Sequence, residues 1–310
     1  MMVRSSNPGT GARGGAEKVS LGHPVCTVIV PVYNHWPLVP DLLKCLQTQI
    51  VSQDDFEVIL VDNGSTEFTP PESMAPNVRI LHCETPGSYA ARNVGVVAAR
   101  GDWLAFTDAD CRPAPQWLAA LLERSRQSEG SVLLAGSVEM YTDSAQPNAY
   151  EIYDLVRGIP QRHYVRRGYA ATANLLVPKT VVQELGGFDT TRYSGGDADL
   201  CWRAGARGYS VRYVPEAMVY HPARNSWLEV VSKARRIKGG QLCSGSRRRR
   251  LYWVLRTLIP PINQFYRYSM SRQNSFRYRL TCIVVQSRIW PHEILEMLRL
   301  MMRTTRRERQ

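Results

Sequence analysis

Two carboxylates one residue apart, Asp108 and Asp110, close the apolar run Trp103–Phe106. Such a run, entered through Gly101 and ending abruptly in charge, reads as a buried strand that delivers its C-terminal end into a cleft. Packing explains two acids there poorly, because unpaired buried charge is expensive. A divalent cation held against an anionic ligand explains them better, and oxygen-only ligation suits magnesium or manganese. The same pair also has an ordinary reading as turn or cap residues. A second pair, Asp197 and Asp199, precedes a helical stretch, where one of them can serve as N-cap.

The elements that must position these acids follow from the hydrophobic pattern. Val25–Val30, Glu57–Val61, Val78–His82 and Trp103–Phe106 read as short buried strands. Helical patterns at Leu38–Gln47, Tyr89–Arg100 and Gln116–Arg126 are interspersed with them. The alternation predicts an α/β fold whose mostly parallel central sheet is flanked by helices on both faces. Ligands in such sheets sit outside the carboxyl ends of the strands. The polar segments Pro31–His35, Asp62–Thr66, Glu84–Ser88 and Asp108–Arg112 should therefore meet on one edge. Further on, strands are expected at Val132–Met140, Thr172–Val177 and Tyr209–Val214. Ala149–Tyr164 should be a helix followed by loop, with helices at Lys179–Leu185 and Asp197–Gly208 and a turn at Gly186–Asp189.

At 44% hydrophobic and 21% charged residues the 310-residue chain reads as globular and not as disordered. Its seven cysteines are scattered singly with no C-x-x-C pair, which argues against a zinc site or a disulfide scaffold and for reduced thiols. The net charge of +12 is unevenly placed. Residues 222–310 hold 20 Lys/Arg against 4 Asp/Glu, or +16, which leaves −4 for residues 1–221. No stretch reaches about 18 uninterrupted apolar residues, so no membrane span is expected. Residues 1–22, polar and rich in Gly and Ser, are expected to form a loose tail.

Taken in order, several motifs resemble those of the family 2 glycosyltransferases, which have a GT-A fold and are mostly inverting. They are Val30-Pro31-Val32-Tyr33-Asn34, Val61-Asp62-Asn63-Gly64-Ser65, the segment 87–95 (GSYAARNVG), Phe106–Asp110, Gly186-Gly187-Phe188-Asp189 and the segment 196–203 (GDADLCWR). The resemblance implies a GT-A-like domain over residues 23–222, with a nucleotide-binding half (23–115) and an acceptor half (116–222). It places Pro31, Tyr33 and Asp62 at the nucleotide base and Arg92 and Asn93 where the base or ribose pocket is completed. Asp108 would face ribose and metal, and Asp110 would bind the metal directly, Mn2+ or Mg2+. Asp197 falls at the general base, and His221 at a position where some relatives add a metal or diphosphate contact. Gly196 stands where the motif usually has Glu, which puts acceptor-side details in doubt. Asp199, Trp202 and Arg203 are expected on the acceptor side or behind the base, Arg203 as a salt-bridge partner of a motif carboxylate. Tyr193, Trp202 and Trp227 can line an acceptor pocket or simply pack.

The implied reaction moves a sugar from a nucleotide donor, UDP-linked foremost and GDP- or dTDP-linked otherwise, to an acceptor hydroxyl. A lipid-linked glycan or polysaccharide precursor is the expected acceptor. The basic region 223–310 interleaves arginines with apolar segments at Leu251–Ile262, Leu280–Ile289 and Trp290–Met302 and ends in Arg303, Arg306, Arg307 and Arg309. That pattern fits an interfacial helix on an anionic membrane, which would put the protein at the cytoplasmic face. A basic helical appendage packed on the domain is the other reading. Nucleic acid is not an expected partner, since no recognition motif accompanies the charge. A non-catalytic nucleotide- or glycan-binding protein of the same fold, or a scaffold acting through the basic region, remain the alternatives in other functional classes.

Overall fold

A computed structural model describes residues 23–128 and 132–302. The expected tail 1–22 and the last four arginines named above lie outside the described residues. The first half runs β1 (Cys26–Val32), α1 (Val39–Gln47), β2 (Phe56–Asp62), β3 (Val78–His82), α2 (Ser88–Ala98), β4 (Trp103–Phe106), β5 (Arg112–Pro113) and α3 (Trp117–Arg126). Then come β6 (Val132–Tyr141), α4 (Ala149–Arg157), α5 (Gln161–Val165), β7 (Leu175–Pro178), α6 (Lys179–Glu184), α7 (Gly196–Gly205) and β8 (Ser210–Pro222). Four helices follow: α8 (Trp227–Cys243), α9 (Arg247–Leu258), α10 (Ile262–Ser269) and α11 (Phe276–Met301).

The strands form one sheet in the order β3-β2-β1-β4-β7-β6-β8-β5. β3, β2, β1 and β4 are mutually parallel, so their C-terminal ends share an edge, as the alternation of strands and helices requires. The other half is mixed. β7 runs antiparallel to both β4 and β6, β6 is parallel to β8, and the two-residue β5 pairs antiparallel with β8. Alternate residues of each strand serve opposite faces. Val28, Val30, Val58 and Leu60 join α1 and α3 in one core, and Ile29, Ile59 and Val61 join α2, α6 and α7 in the other. Burying a side chain such as Ile29 completely contributes about 1.5–3 kcal/mol.

At the edge away from the site, buried Glu57 holds the strands' N-terminal ends. It accepts from the Thr27 hydroxyl (2.8 Å), the Arg100 amide (2.6 Å) and side chain (2.9 Å), and Arg79 (3.2 Å). Burial pushes its carboxyl up, but these donors outweigh it and leave the group below its ordinary value.

Several segments depart from the pattern. Thr172–Asn174 forms a short 3-10 turn before β7, not strand. The helix expected from Ala149 ends at Gly158, whose φ of 59° suits glycine, and a second short helix follows Pro160. β8 runs 13 residues to Pro222, past the expected end at Val214. α11 is continuous through Pro291, where two segments were expected. α11 packs on α4 and α8 through Ile152, Tyr153, Val230, Ala234, Cys282, Val285 and Ile289. Beneath this cluster Asp154, 1% exposed, pairs with Arg224 (2.8 Å) and Lys233 (3.3 Å). Burial opposes its ionisation, yet Lys233, Arg224 and Arg157 together hold its carboxyl down to about 2. Asp154→Ala is expected to cost about 3–5 kcal/mol, because it strands two cations in a low-dielectric site. A denaturant melt unchanged from wild type would contradict this.

Candidate active site

The parallel edge gathers the expected loops. Asn34, at φ 56°, accepts on Oδ1 from the Thr66 amide (2.8 Å) and hydroxyl (3.1 Å), and its own amide donates to the Ser65 hydroxyl (2.9 Å). Asn63 donates to the Cys83 and Thr85 carbonyls (3.0 and 2.7 Å) and accepts from the Gly87 amide (2.6 Å). The loops after β1, β2 and β3 are thereby stitched together. Asp62 accepts the indole N–H of buried Trp36 (2.8 Å) and the amides of Gly64 and Ser65 (3.2 and 3.3 Å). Burial raises its carboxyl, but the Ser65 hydroxyl, Trp36 and the two amides prevail and keep it below the ordinary range. Pro31 is part-buried and Tyr33 is 37% exposed on this edge. Trp36, which the sequence reading did not single out, meets Phe68 edge-on (5.0 Å), and Phe68 meets His82 (5.1 Å).

Past β4 the chain turns, and the Cys111 amide donates to the Asp108 carbonyl (3.1 Å). Thr107, Ala109 and Cys111 turn inward, and the Thr107 hydroxyl donates to the Ala173 carbonyl (3.0 Å). The turn leaves Asp108 and Asp110 outside the core, with side chains 32% and 18% exposed and their carboxylates close together. Buried Arg92 on α2 donates to Asp108 Oδ1 at 2.6 Å. Buried His221, near the end of β8, brings Nε2 to 3.9 Å from Asp110 Oδ1. Its Nδ1 lies 2.9 Å from the Pro222 carbonyl, which can only accept. Nδ1 therefore donates to it, and Nε2 is the ring atom that faces Asp110.

Ligand atoms of Asp108, Asp110, Cys111 and His221 lie within 4.8 Å of one another. Two carboxylates and an imidazole whose Nε2 faces them fit a hard or borderline divalent cation. Cys111 does not add to that fit. It is buried, and burial together with Asp110 and Asp108 raises its thiol well above the ordinary value.

Asp197, in the first turn of α7 and within electrostatic reach of Arg92, accepts from the Ala198 amide (2.9 Å). Burial raises its carboxyl in spite of that amide and of the charges on Arg92 and Arg236. Its charge in turn acts on Tyr89, Tyr164 and Tyr169. Tyr169 stacks on Tyr164 (4.9 Å) and meets the half-exposed Trp202 edge-on (5.6 Å), while the Trp202 indole donates to the Arg167 carbonyl (3.1 Å). Tyr89 belongs to the motif segment 87–95, whereas Tyr164 and Tyr169 fall in none of the motifs and only three-dimensional placement reveals them.

Other expected site residues serve to hold these in place. Asp199 is no cap: Arg192 (2.6 Å) and Arg203 (2.8 Å) take its two oxygens. Arg203 also donates to the Leu185 and Gly187 carbonyls (both 2.7 Å), the structural role expected of it. Asn93 donates to the Phe188 carbonyl (2.9 Å) and accepts its amide (2.8 Å), which ties α2 to the Gly186–Asp189 turn and lends no support to a place in the nucleotide pocket. Gly187, at φ +79°, leaves that amide room: a Cβ there would lie 2.6 Å from Asn93 Oδ1. Gly196 sits against the Tyr89 ring. Tyr193 is buried beside Gly239, and Trp227 packs with Tyr150, His292 and Arg288.

Comparison with known proteins bears on this geometry. The family description Glycosyl transferase family 2 matches residues 27–173, and Glycosyl transferase family group 2 matches residues 154–303. Glycosyltransferase AglE of Haloferax volcanii is 34% identical over 226 residues, which cover 71% of this chain and 73% of that protein. Pre-mycofactocin glycosyltransferase of Mycobacterium tuberculosis is 29% identical over 222 residues, 68% of this chain and 45% of its own. Among solved structures, the mannosyltransferase PcManGT from Pyrobaculum calidifontis, in complex with GDP-Man and Mn2+, superposes with a TM-score of 0.59 at 17% identity, covering 91% of this chain and 88% of that one. That likeness shows a shared GT-A-like fold. By the identity and coverage of its sequence relatives, the chain belongs to glycosyltransferase family 2 and is a glycosyltransferase of the EC 2.4 class, acting on a nucleotide-sugar donor.

Proposed function

We propose that the chain is an inverting, metal-dependent transferase that moves a sugar onto a hydroxyl of a glycan carried on lipid. One observation carries this reading. The Asp108–Asp110–His221 cluster and the recessed Asp197 flank a single buried arginine, Arg92, that contacts the first and acts on the second. Asp108, Asp110 and His221 Nε2 would hold Mn2+ or Mg2+, and the bound cation would neutralise the diphosphate leaving group. PcManGT, named with Mn2+ and GDP-Man, makes manganese the first ion to try. Pro31, Tyr33, Asp62 and the stitched loops would seat the base and ribose. Arg92 would keep Asp108 oriented toward them.

Asp197 would take the proton from the attacking hydroxyl. Its raised carboxyl makes it a stronger base than an ordinary aspartate. With both oxygens of Asp199 held by arginines, Asp197 is the free acid of α7. A single base supports direct displacement, since a retaining double displacement needs a nucleophile as well. Trp202 and Tyr169 offer ring faces for the acceptor sugar.

The test is a thermal-shift panel of UDP, GDP, dTDP and CDP sugars with and without manganese. One nucleotide series should raise Tm by about 5 °C near a hundred times Kd, and only with metal. A panel without any shift would remove the donor-site reading.

Residues 23–222 would form the catalytic domain and 223–310 a membrane-facing appendage. α8 and α11 dock on α4, while α9 and α10 expose Leu251, Tyr252, Leu255, Ile262 and Tyr266. Arg247, Arg248 and Arg250 are exposed in the first turn of α9, where the helix dipole disfavours cations. An anionic lipid surface would offset that cost at about 1 kcal/mol per arginine. Among the described residues no helix is long and apolar enough to cross a membrane, so the contact would be interfacial, on the cytoplasmic face. Cosedimentation with phosphatidylglycerol vesicles that fades at high salt is expected. Absence of binding at low salt would leave α9 and α10 as a packing appendage.

A further inference from the structure

Gly196 opens the helix that carries Asp197, and the reason for glycine there lies in another element. A Cβ at this position would come within 2.8–2.9 Å of three atoms of the Tyr89 ring. The ring is fixed, because it stacks on Phe188 at 5.7 Å and Phe188 is tied to Asn93. The residue before, Gly195, caps α7 with no side chain, so the first N–H groups of the helix need acceptors from elsewhere. Tyr89 supplies one: the Gly196 N–H donates to its phenol oxygen at 2.9 Å. A phenol that accepts in this way still has its own proton to donate. Among the described residues no acceptor takes it, and the nearby negative charge acting on Tyr89 is that of Asp197.

We propose that Tyr89 is a positioning residue for the transfer reaction: its ring occupies the side-chain space of residue 196, and its hydroxyl caps α7 and steadies the Asp197 carboxylate in the acceptor cleft. This rests on the assignment of Asp197 as base. The glycine and the tyrosine then form one unit, in which neither can change alone.

Two measurements test it. The first does not require activity. Gly196→Ala should lower Tm in the wild-type background and be nearly neutral in Tyr89→Ala, where the ring is gone. Equal losses in both backgrounds would overturn the packing half of the proposal. The second is kinetic. Tyr89→Phe keeps the ring and removes the hydroxyl. Its kcat should fall about tenfold, one hydrogen bond in the transition state, with donor KM unchanged. The acid limb of its pH profile should move to higher pH, because the carboxylate would lose the phenol proton that the proposal assigns to it. Wild-type kcat and an unmoved acid limb in Tyr89→Phe would overturn the positioning role even if the Tm cycle shows coupling. Absence of transfer by the wild-type protein with every donor would instead count against the enzymatic reading of the site.

Discussion

Asp110→Asn should lower metal-stimulated transfer by about two to three orders of magnitude, the range seen when one charge-stabilising group is removed from an active site. The carboxamide keeps the shape and gives up the charge. Asp108 cannot compensate, because one of its oxygens already serves Arg92 at 2.6 Å. His221 Nε2 would be left facing a neutral group 3.9 Å away. The fold should survive, since Asp110 is a cleft residue beyond the end of β4 and no backbone group depends on its side chain. Initial rates across a manganese titration, with Tm measured in parallel, decide the matter. A variant that retains full activity without added metal would refute the site.

Asp197→Asn should leave the donor-induced thermal shift intact and lower transfer by about 10²–10⁴-fold. The pH dependence has a definite sign. A general base works ionised, and burial raises this carboxyl, so kcat should fall as pH drops through a value above the ordinary aspartate range. The stability effect runs the other way. A carboxyl whose folded pKa lies above its unfolded value favours folding when protonated and loses that contribution as pH rises through the folded value. The neutral asparagine should therefore match or exceed wild-type Tm at neutral pH while nearly inactive. Unchanged turnover in this variant would remove Asp197 as the base.

The parallel half of the sheet was legible because each strand is short, mostly apolar and followed by a polar loop, so that Asp62 and Asp108 fall where the pattern stops. The mixed half was not. Pro215 and Glu216 interrupt the apolar pattern of β8, whose ladder with β6 resumes only after a register shift at Gly136/Ser137. A single-sequence pattern ends such a strand at Val214. The tie of Asn93 to the turn at Gly186–Asp189 was hidden for a related reason: its amide answers a backbone group 95 residues away. The departure at Gly196 was visible, but its cause, a ring on α2, lies 107 residues away. Within the helical region expected over 223–310, α8 was not delimited by itself, since its buried Lys238 and its Gly239-Gly240 pair blur the amphipathic signal that a surface helix shows.

The asparagine cross-links at the strand ends bear on the thermodynamics of substrate capture. Asn34 and Asn63 hold three loops in register before any nucleotide arrives. Ordering such loops on association would otherwise consume affinity. If the donor seats on these loops as proposed, that entropy is already lost at folding, and its capture would resemble docking to a finished surface, with discrimination between nucleotides falling to shape and hydrogen-bond fit.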